Sequence, residues 1–283
     1  MMAMTRPTVL CFSGFDPTGG AGIQADIEAV AAAGCHALPV ITALTDQDSG
    51  RFYSLQPVDS ELMAAQIEHL LNDFQPAAIK VGLLAGQAAL KLVSEVVQVT
   101  TGIPVVVDPV LAAGGDGTPL GEGSIAQGIL RQLLPFTTLA TPNISELMVL
   151  ATADHQDVDL SVDQANDPQE TLAARLLADG CHAVLVTGTH APGDAVVNRL
   201  YRTGEDVVGR SWPRLPGSYH GSGCTLASHI AGLLAKGVPL PRAVDIGQRY
   251  AWQTLERADK PGRDQFLPRR LWREEFTIAD PEE

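Results

Sequence analysis

Short apolar runs alternate with segments of helical spacing along most of this chain, and that alternation restricts the fold more than any other feature. Thr8 to Ser13 (TVLCFS), Ala37 to Leu44 (ALPVITAL), Ala77 to Leu84 (AAIKVGLL), Val105 to Val107, Thr138 to Ala140 and Ala183 to Val186 read as strands. Ile23 to Ala33, Asp59 to Phe74, Leu90 to Val99, Ile125 to Leu134 and Pro168 to Ala178 read as helices between them. Strands linked through helices by short connections form a parallel sheet covered on both faces, so an α/β fold is expected. Later, Ala195 to Tyr201 and Asp206 to Ser211 flank the turn Arg202-Thr203-Gly204-Glu205 and read as a β-hairpin. A last helix runs from Pro239 to about Ala258. Neither an internal repeat nor an interdomain linker interrupts the pattern. One domain over 1–283 is expected, with an acidic surface linker from Ala153 to Asp167. A C-terminal tail from about residue 261 is expected to dock loosely, through Phe266, Leu267, Leu271 and Trp272.

In such a sheet, ligands bind beyond the carboxyl ends of the strands. Gly14, Thr45 to Asp48, Gly82, Asp108 in VVVDPV and Asn143 in TPNISE all fall there. The first of these ends opens the loop GFDPTGGAG, from Gly14 to Gly22, whose Asp-Pro pair and paired glycines bring backbone close to a ligand. Asp26 lies near the start of the helix that follows. Gln47 carries both donors and an acceptor, the equipment needed to read an aminopyrimidine or amide edge, although a solvated loop glutamine looks the same in sequence. Asp108 and Glu146 offer hard oxygen ligands suited to Mg²⁺, although a lone acid after a strand also serves as a cap or turn residue. The loop has no G-x-G-x-x-G and the chain has no G-K-[ST], which excludes the two commonest glycine-rich nucleotide loops.

The other glycine-bracketed stretch is SYHGSGCTLASHIAGLL, Ser218 to Leu234. A helix is expected from Thr225, with Gly221, Ser222 and Gly223 as the loop before it and Cys224 at the junction. The start of a helix presents free backbone N–H groups and a partial positive charge, which suits the negative charge of a phosphoryl group in transfer. The same potential is expected to favour the Cys224 thiolate, a base for a substrate hydroxyl.

Charge narrows the partners. Nineteen Lys and Arg stand against 33 Asp and Glu, a formal net charge of −14, which argues against a nucleic-acid or anionic-membrane surface. Cys11, Cys35, Cys181 and Cys224 show neither metal-ligand nor disulfide spacing, as expected of reduced thiols in a cytoplasm. Val9 to Phe12 is too short for a signal sequence, and no later segment offers an uninterrupted membrane span, so a soluble, unprocessed protein is expected.

Taken together, GFDPTGGAGIQAD, PVITALTDQD, IKVGLL, VVVDPV, TPNISE and YHGSGCTLASHIAGLLAKGVPL resemble the hydroxymethylpyrimidine and phosphomethylpyrimidine kinases of thiamin biosynthesis, in the ribokinase-like superfamily. The resemblance spans roughly residues 8 to 260. It implies a three-layer αβα sandwich, often homodimeric, that uses MgATP to phosphorylate the hydroxymethyl group of 4-amino-5-hydroxymethyl-2-methylpyrimidine and then its monophosphate. It implies Cys224 as the base and Gly221, Ser222 and Gly223 as the anion hole. Gly14, Ala21, Asp26, Gln47 and Leu83 would line the pyrimidine pocket. Asn143, Thr187 and Gly188 would meet the nucleotide, and Asp108 and Glu146 would serve Mg²⁺.

The departures from that family concern charge. Where it usually has lysines, this chain has Ala113 (in Ala112-Ala113-Gly114-Gly115-Asp116) and Thr187 (in Thr187-Gly188-Thr189-His190). Leu83 replaces a methionine and Ser222 a threonine. Fewer cations should hurt transfer to an already dianionic monophosphate more than transfer to the alcohol. Two other readings stay open in the sequence: a pyridoxal or pyridoxine kinase, and a catalytically weak pyrimidine-binding sensor.

Overall fold

The computed structural model describes residues 5–112, 124–154, 167–189 and 193–272. Its nine strands form one sheet in the order β3-β2-β1-β4-β5-β6-β7-β8-β9. β1 (Thr8–Phe15), β2 (His36–Gln47), β4 (Ala78–Val81), β5 (Val105–Val107), β6 (Leu139–Ala140) and β7 (Ala183–Val186) run parallel. β3 (Phe52–Pro57) closes one edge as an antiparallel return on β2, and β8 (Ala195–Arg202) with β9 (Val208–Pro213) closes the other.

The inner parallel strands are largely apolar because both faces are covered. Within β1, Leu10 and Phe12 join the core beneath α2 (Ser60–Asp73), α3 (Gln87–Val99), α5 (Ile144–Thr152) and α6 (Pro168–Ala178), along with the helical turns of Ser124–Gly128, here α4, and Ile129–Leu133. The alternate residues Val9 and Cys11 face α1 (Gly22–Ala32), α7 (Ser222–Ala235) and α8 (Leu240–Glu256). The same period of two separates Val105 and Val107 from Val106. The result is the expected three-layer αβα sandwich. α7 is enclosed on all sides, with every residue from Thr225 to Leu234 buried. Gly232 lets it approach α1, where a Cβ would strike that of Ala33.

Several boundaries differ from the sequence reading. β2 continues through Thr45 and Asp46 to Gln47, because pairing with β3 down to Gln47↔Phe52 supplies hydrogen bonds to a segment too polar to read as strand. α5 is set by a capping box in which the Asn143 side chain accepts from Glu146 N–H and the Glu146 carboxylate from Asn143 N–H, both at 2.9 Å. The expected helix from Ile125 to Leu134 is α-helical only to Gly128, then widens into a π-type turn at Ile129–Leu133. α7 begins at Ser222, not Thr225, so Cys224 sits within its first turn.

The tail also departs from expectation, because its described part is held firmly. Gln265 and Arg270 are 5% and 3% exposed. Phe266 packs on Tyr219 and Trp272 on Tyr250, each at 5.5 Å between ring centroids, whereas Leu271 is exposed.

Candidate active site

β1 sends its chain to β2 on one side, and β4 lies on the other, so the sheet has its topological switch point at the carboxyl ends of β1 and β4. An elongated cavity of about 430 Å³ opens there. Of the residues expected from the sequence, Gly14, Ala21, Gln47, Leu83, Asp108, Asn143, Glu146, Thr187, Gly221, Ser222, Gly223 and Cys224 all line it. Two do not. Asp26 is fully buried beneath the cavity, where its carboxylate accepts Lys80 Nζ at 2.8 and 3.0 Å and Ser228 Oγ at 2.6 Å. Gly188 is turned away, with its amide donated to Asn198 Oδ1 at 3.0 Å and its Cα packed on the Val197 backbone. Ala113 and His190 lie outside the described residues.

Two glycine turns form the floor, and they lean on each other. Gly22 (φ +58°) and Gly221 (φ +74°) take a left-handed backbone that side chains rarely adopt. A Cβ on Gly22 would overlap the Gly14 carbonyl, and one on Gly221 the Gly20 carbonyl. Across this contact, Asp16 accepts Thr18 N–H (2.9 Å), Ala21 N–H (2.8 Å) and His220 Nε2 (2.9 Å). Burial opposes the Asp16 charge, but His220 and the two amides win and lower its pKa to about 2. Past Gly221 the first intrahelical bond is Thr225 N–H to Gly221 O at 3.0 Å, so the N–H groups of Ser222, Gly223 and Cys224 precede the hydrogen-bonded ladder.

The expectation of a thiolate at Cys224 is overturned for the free protein. Burial raises the thiol to about 12, against the pull of Lys80 and with Asp108 and Asp26 adding to the rise. The helix start is a partial charge at one side, whereas desolvation acts on the whole sulfur. Lys80 stays cationic because Asp26, which it also hydrogen-bonds, leads the groups that outweigh its burial.

Asp108 and Glu146 share one wall. Asp108 Oδ1 accepts Thr141 Oγ1 at 3.2 Å and the Cys224 thiol lies against the carboxylate, while the buried Oδ2 is left without a geometrically sound hydrogen bond among the described residues. Burial raises the proton affinity of Asp108. Burial and then Asp108 raise Glu146 to about 8, even though the Asn143 and Leu111 amides work the other way. Two carboxyls that resist ionising together, one with an orphan oxygen, fit a hard divalent cation that would relieve both.

The far end of the cavity was missed by the sequence reading. Trp212 of β9 and Trp252 of α8 stack at 6.2 Å between ring centroids, and Gln248 Oε1 accepts both Asn198 Nδ2 (3.0 Å) and Trp212 Nε1 (3.3 Å). With Val196, Ala251 and Leu255 they make a flat-sided apolar slot. Its parts come from β8, β9 and α8, and nothing local in the sequence joins them. Lys80 did leave a signal: a lysine inside an otherwise apolar strand covered on both faces demands a buried anion.

An α/β sheet with free helix-start amides, a paired-carboxylate wall and a planar slot in one cavity defines a small-molecule phosphotransferase. The family model for phosphomethylpyrimidine kinase matches residues 16–268, and the chain belongs to that family. It is 38% identical over 263 residues to the hydroxymethylpyrimidine/phosphomethylpyrimidine kinase of Mycobacterium tuberculosis, covering 92% of each chain. Among solved structures, phosphomethylpyrimidine kinase from Clostridium difficile superposes with a TM-score of 0.72 at 26% identity, covering 88% of this chain and 100% of that one. A pyridoxal kinase from Staphylococcus aureus in complex with AMP-PCP and pyridoxal gives a TM-score of 0.82 at 23% identity, covering 93% of each, and shares the fold. No helix among the described residues is long and apolar enough to cross a membrane.

Proposed function

We propose that this chain transfers the γ-phosphoryl group of ATP to the hydroxymethyl oxygen of 4-amino-5-hydroxymethyl-2-methylpyrimidine, with Cys224 as the base. The observation that carries this reading is the position of Cys224 on the wall of one cavity, between a ring-sized pocket and a flat apolar slot. The pocket is walled by Gly14, Ala21, Gln47 and Leu83, and Gln47 donates to Thr45 Oγ1 at 2.9 Å, which fixes its amide for reading a ring edge. The slot lined by Val196 and Trp212 suits adenine. The amides of Ser222, Gly223 and Cys224 face the charge that builds on the transferring phosphoryl oxygens. Asn143 has its side-chain oxygen committed to the α5 cap, so it meets phosphate through its amide N–H groups.

Cys224 acts once its sulfur has given up the thiol proton to solvent: as the hydroxymethyl oxygen bonds to phosphorus and the bond to ADP breaks, the hydroxyl proton passes to the thiolate. Asp108 and Glu146 would hold Mg²⁺, which would supply positive charge against the phosphates. Because Glu146 is protonated below about pH 8, cation binding at pH 7 expels a proton. Calorimetric titration of Mg²⁺ in buffers of different ionisation enthalpy is expected to show about one proton released per ion, and Glu146→Gln is expected to remove that release and weaken binding. The sign for stability follows. The free fold binds this proton more tightly than the unfolded chain does, so stability falls as pH rises from 4.5 towards about 8.

The test is ATP-dependent transfer to the pyrimidine alcohol, its monophosphate and pyridoxal, with each product measured directly. The alcohol is expected to turn over fastest. The monophosphate is expected to lag by roughly tenfold or more, since Thr187 on the cavity wall carries no charge. Equal rates for alcohol and monophosphate would show that the missing cations do not matter. Faster transfer to pyridoxal would reassign the ring, and tight pyrimidine binding without transfer would make the protein a sensor.

A further inference from the structure

The segment after α8 runs back along both glycine turns. Phe266 N–H donates to Ser218 O at 2.8 Å, His220 N–H to Phe266 O at 3.0 Å, and Gln265 N–H to Ser49 O at 3.2 Å. This backbone pairing delivers Arg270 to a position behind the floor of the active site. Its side chain is 1% exposed, yet each guanidinium nitrogen has an oxygen partner. Nε donates to Thr225 Oγ1 at 2.8 Å, Nη1 to Glu28 Oε2 at 3.0 Å and towards Gly19 O at 3.5 Å, and Nη2 to Gly20 O. Only one of these acceptors is anionic. Burying a guanidinium is costly unless every donor is placed, so the neutral oxygens are held as firmly as they hold it.

Those oxygens control the two turns. A trans peptide points its C=O and N–H in opposite directions. With the Gly19 and Gly20 carbonyls turned to Arg270, the amides of Gly20 and Ala21 must point inward, where Thr18 Oγ1 (3.1 Å) and Asp16 Oδ2 (2.8 Å) accept them. On the other side, Arg270 occupies a lone pair of the Thr225 hydroxyl, which leaves that hydroxyl to donate to Gly221 O at 2.7 Å. Gly221 is therefore held twice. Its carbonyl is fixed through Thr225, and its Cα rests on the Gly20 carbonyl that Arg270 also binds.

We infer that Arg270 is a positioning residue for phosphoryl transfer: without touching substrate, it sets the orientation of the Gly19–Ala21 peptides and of Gly221, and so aims the amides of Ser222, Gly223 and Cys224. The catalytic half of this inference rests on the kinase reading above. The geometric half does not.

Arg270→Lys keeps the charge but replaces a planar fork with a single nitrogen. Amide exchange at Gly20, Ala21 and Thr225, each hydrogen-bonded along this path, is expected to quicken by about tenfold or more while amides of β4, β5 and β7 keep their rates. In the transfer assay kcat is expected to drop about 10- to 100-fold with KM for ATP changed by less than about threefold. Adding Thr225→Val is expected to cost little more, because both changes break one path. Wild-type kcat in Arg270→Lys, exchange quickened evenly over the whole chain, or a fully additive effect of Thr225→Val would each overturn the proposal. If wild-type protein transfers nothing, the kinase reading fails and the exchange pattern alone decides the role of Arg270. Should Arg270→Lys not fold, Thr225→Val carries the same expectation for the amide of residue 225.

Discussion

Cys224→Ala is expected to lower kcat about 10²- to 10⁴-fold, the usual worth of a positioned base, while KM for ATP stays within about threefold because the slot at Trp212 is untouched. The pH profile distinguishes loss of a base from loss of packing. Burial raises the thiol to about 12, so the thiolate fraction grows with pH across the neutral range. Wild-type kcat/KM should climb accordingly, and so should that of Glu146→Gln, in which the carboxyl raised to about 8 is absent. Cys224→Ala should lack the part of the slope that Glu146→Gln retains. Wild-type turnover in Cys224→Ala would remove the sulfur from the chemistry.

The largest effect on stability is expected at the Lys80–Asp26 pair, where both side chains are 0% exposed. Lys80→Ala strands a carboxylate between α1 and α7 with, among the described residues, only the Ser228 Oγ hydrogen bond left to satisfy it. Breaking a buried pair in this way costs about 3–5 kcal/mol, read as a fall in the urea midpoint at unchanged slope. Replacing both members, as Lys80→Met with Asp26→Leu, is expected to recover most of that loss, because the charge that needed a partner is gone. Activity should not return with stability. Lys80 lowers the proton affinity of Cys224 more than Asp26 raises it, so removing both leaves a sulfur harder to ionise in the repaired fold. A double variant with both stability and wild-type turnover would show that the pair serves folding alone.

The sequence displayed the sheet and most of the cavity wall because those signals are local. α6 begins where Asp167 caps and Pro168 follows, and its predicted and observed bounds coincide. Strand ends placed Asp108 and Asn143 beside the cavity without any knowledge of pairing. What failed to show was long-range or depended on burial. β3 reads FYSLQP, mostly exposed, and it becomes a strand only by pairing with β2. Asp26 follows a binding loop and so looks like a ligand, but its partner Lys80 lies 54 positions away. Local rules for a helix start favour a thiolate at Cys224, and only the packed neighbourhood reveals that desolvation outweighs them. Arg270 reaches carbonyls 251 and 250 positions upstream, a separation at which no sequence pattern operates.

On the proposed assignment of ring pocket and nucleotide slot, the antiparallel returns at the two edges of the sheet divide the work of recognition. Gln47 and Phe52 belong to the β2–β3 hairpin at one edge, and Val196, Asn198 and Trp212 to the β8–β9 hairpin at the other. The parallel strands between them carry Asp108 and support the cysteine helix, and they are locked by packing on both faces. Ring choice and nucleotide choice can therefore drift separately over evolutionary time, each by mutation of an outer hairpin, while the reacting centre is inherited intact.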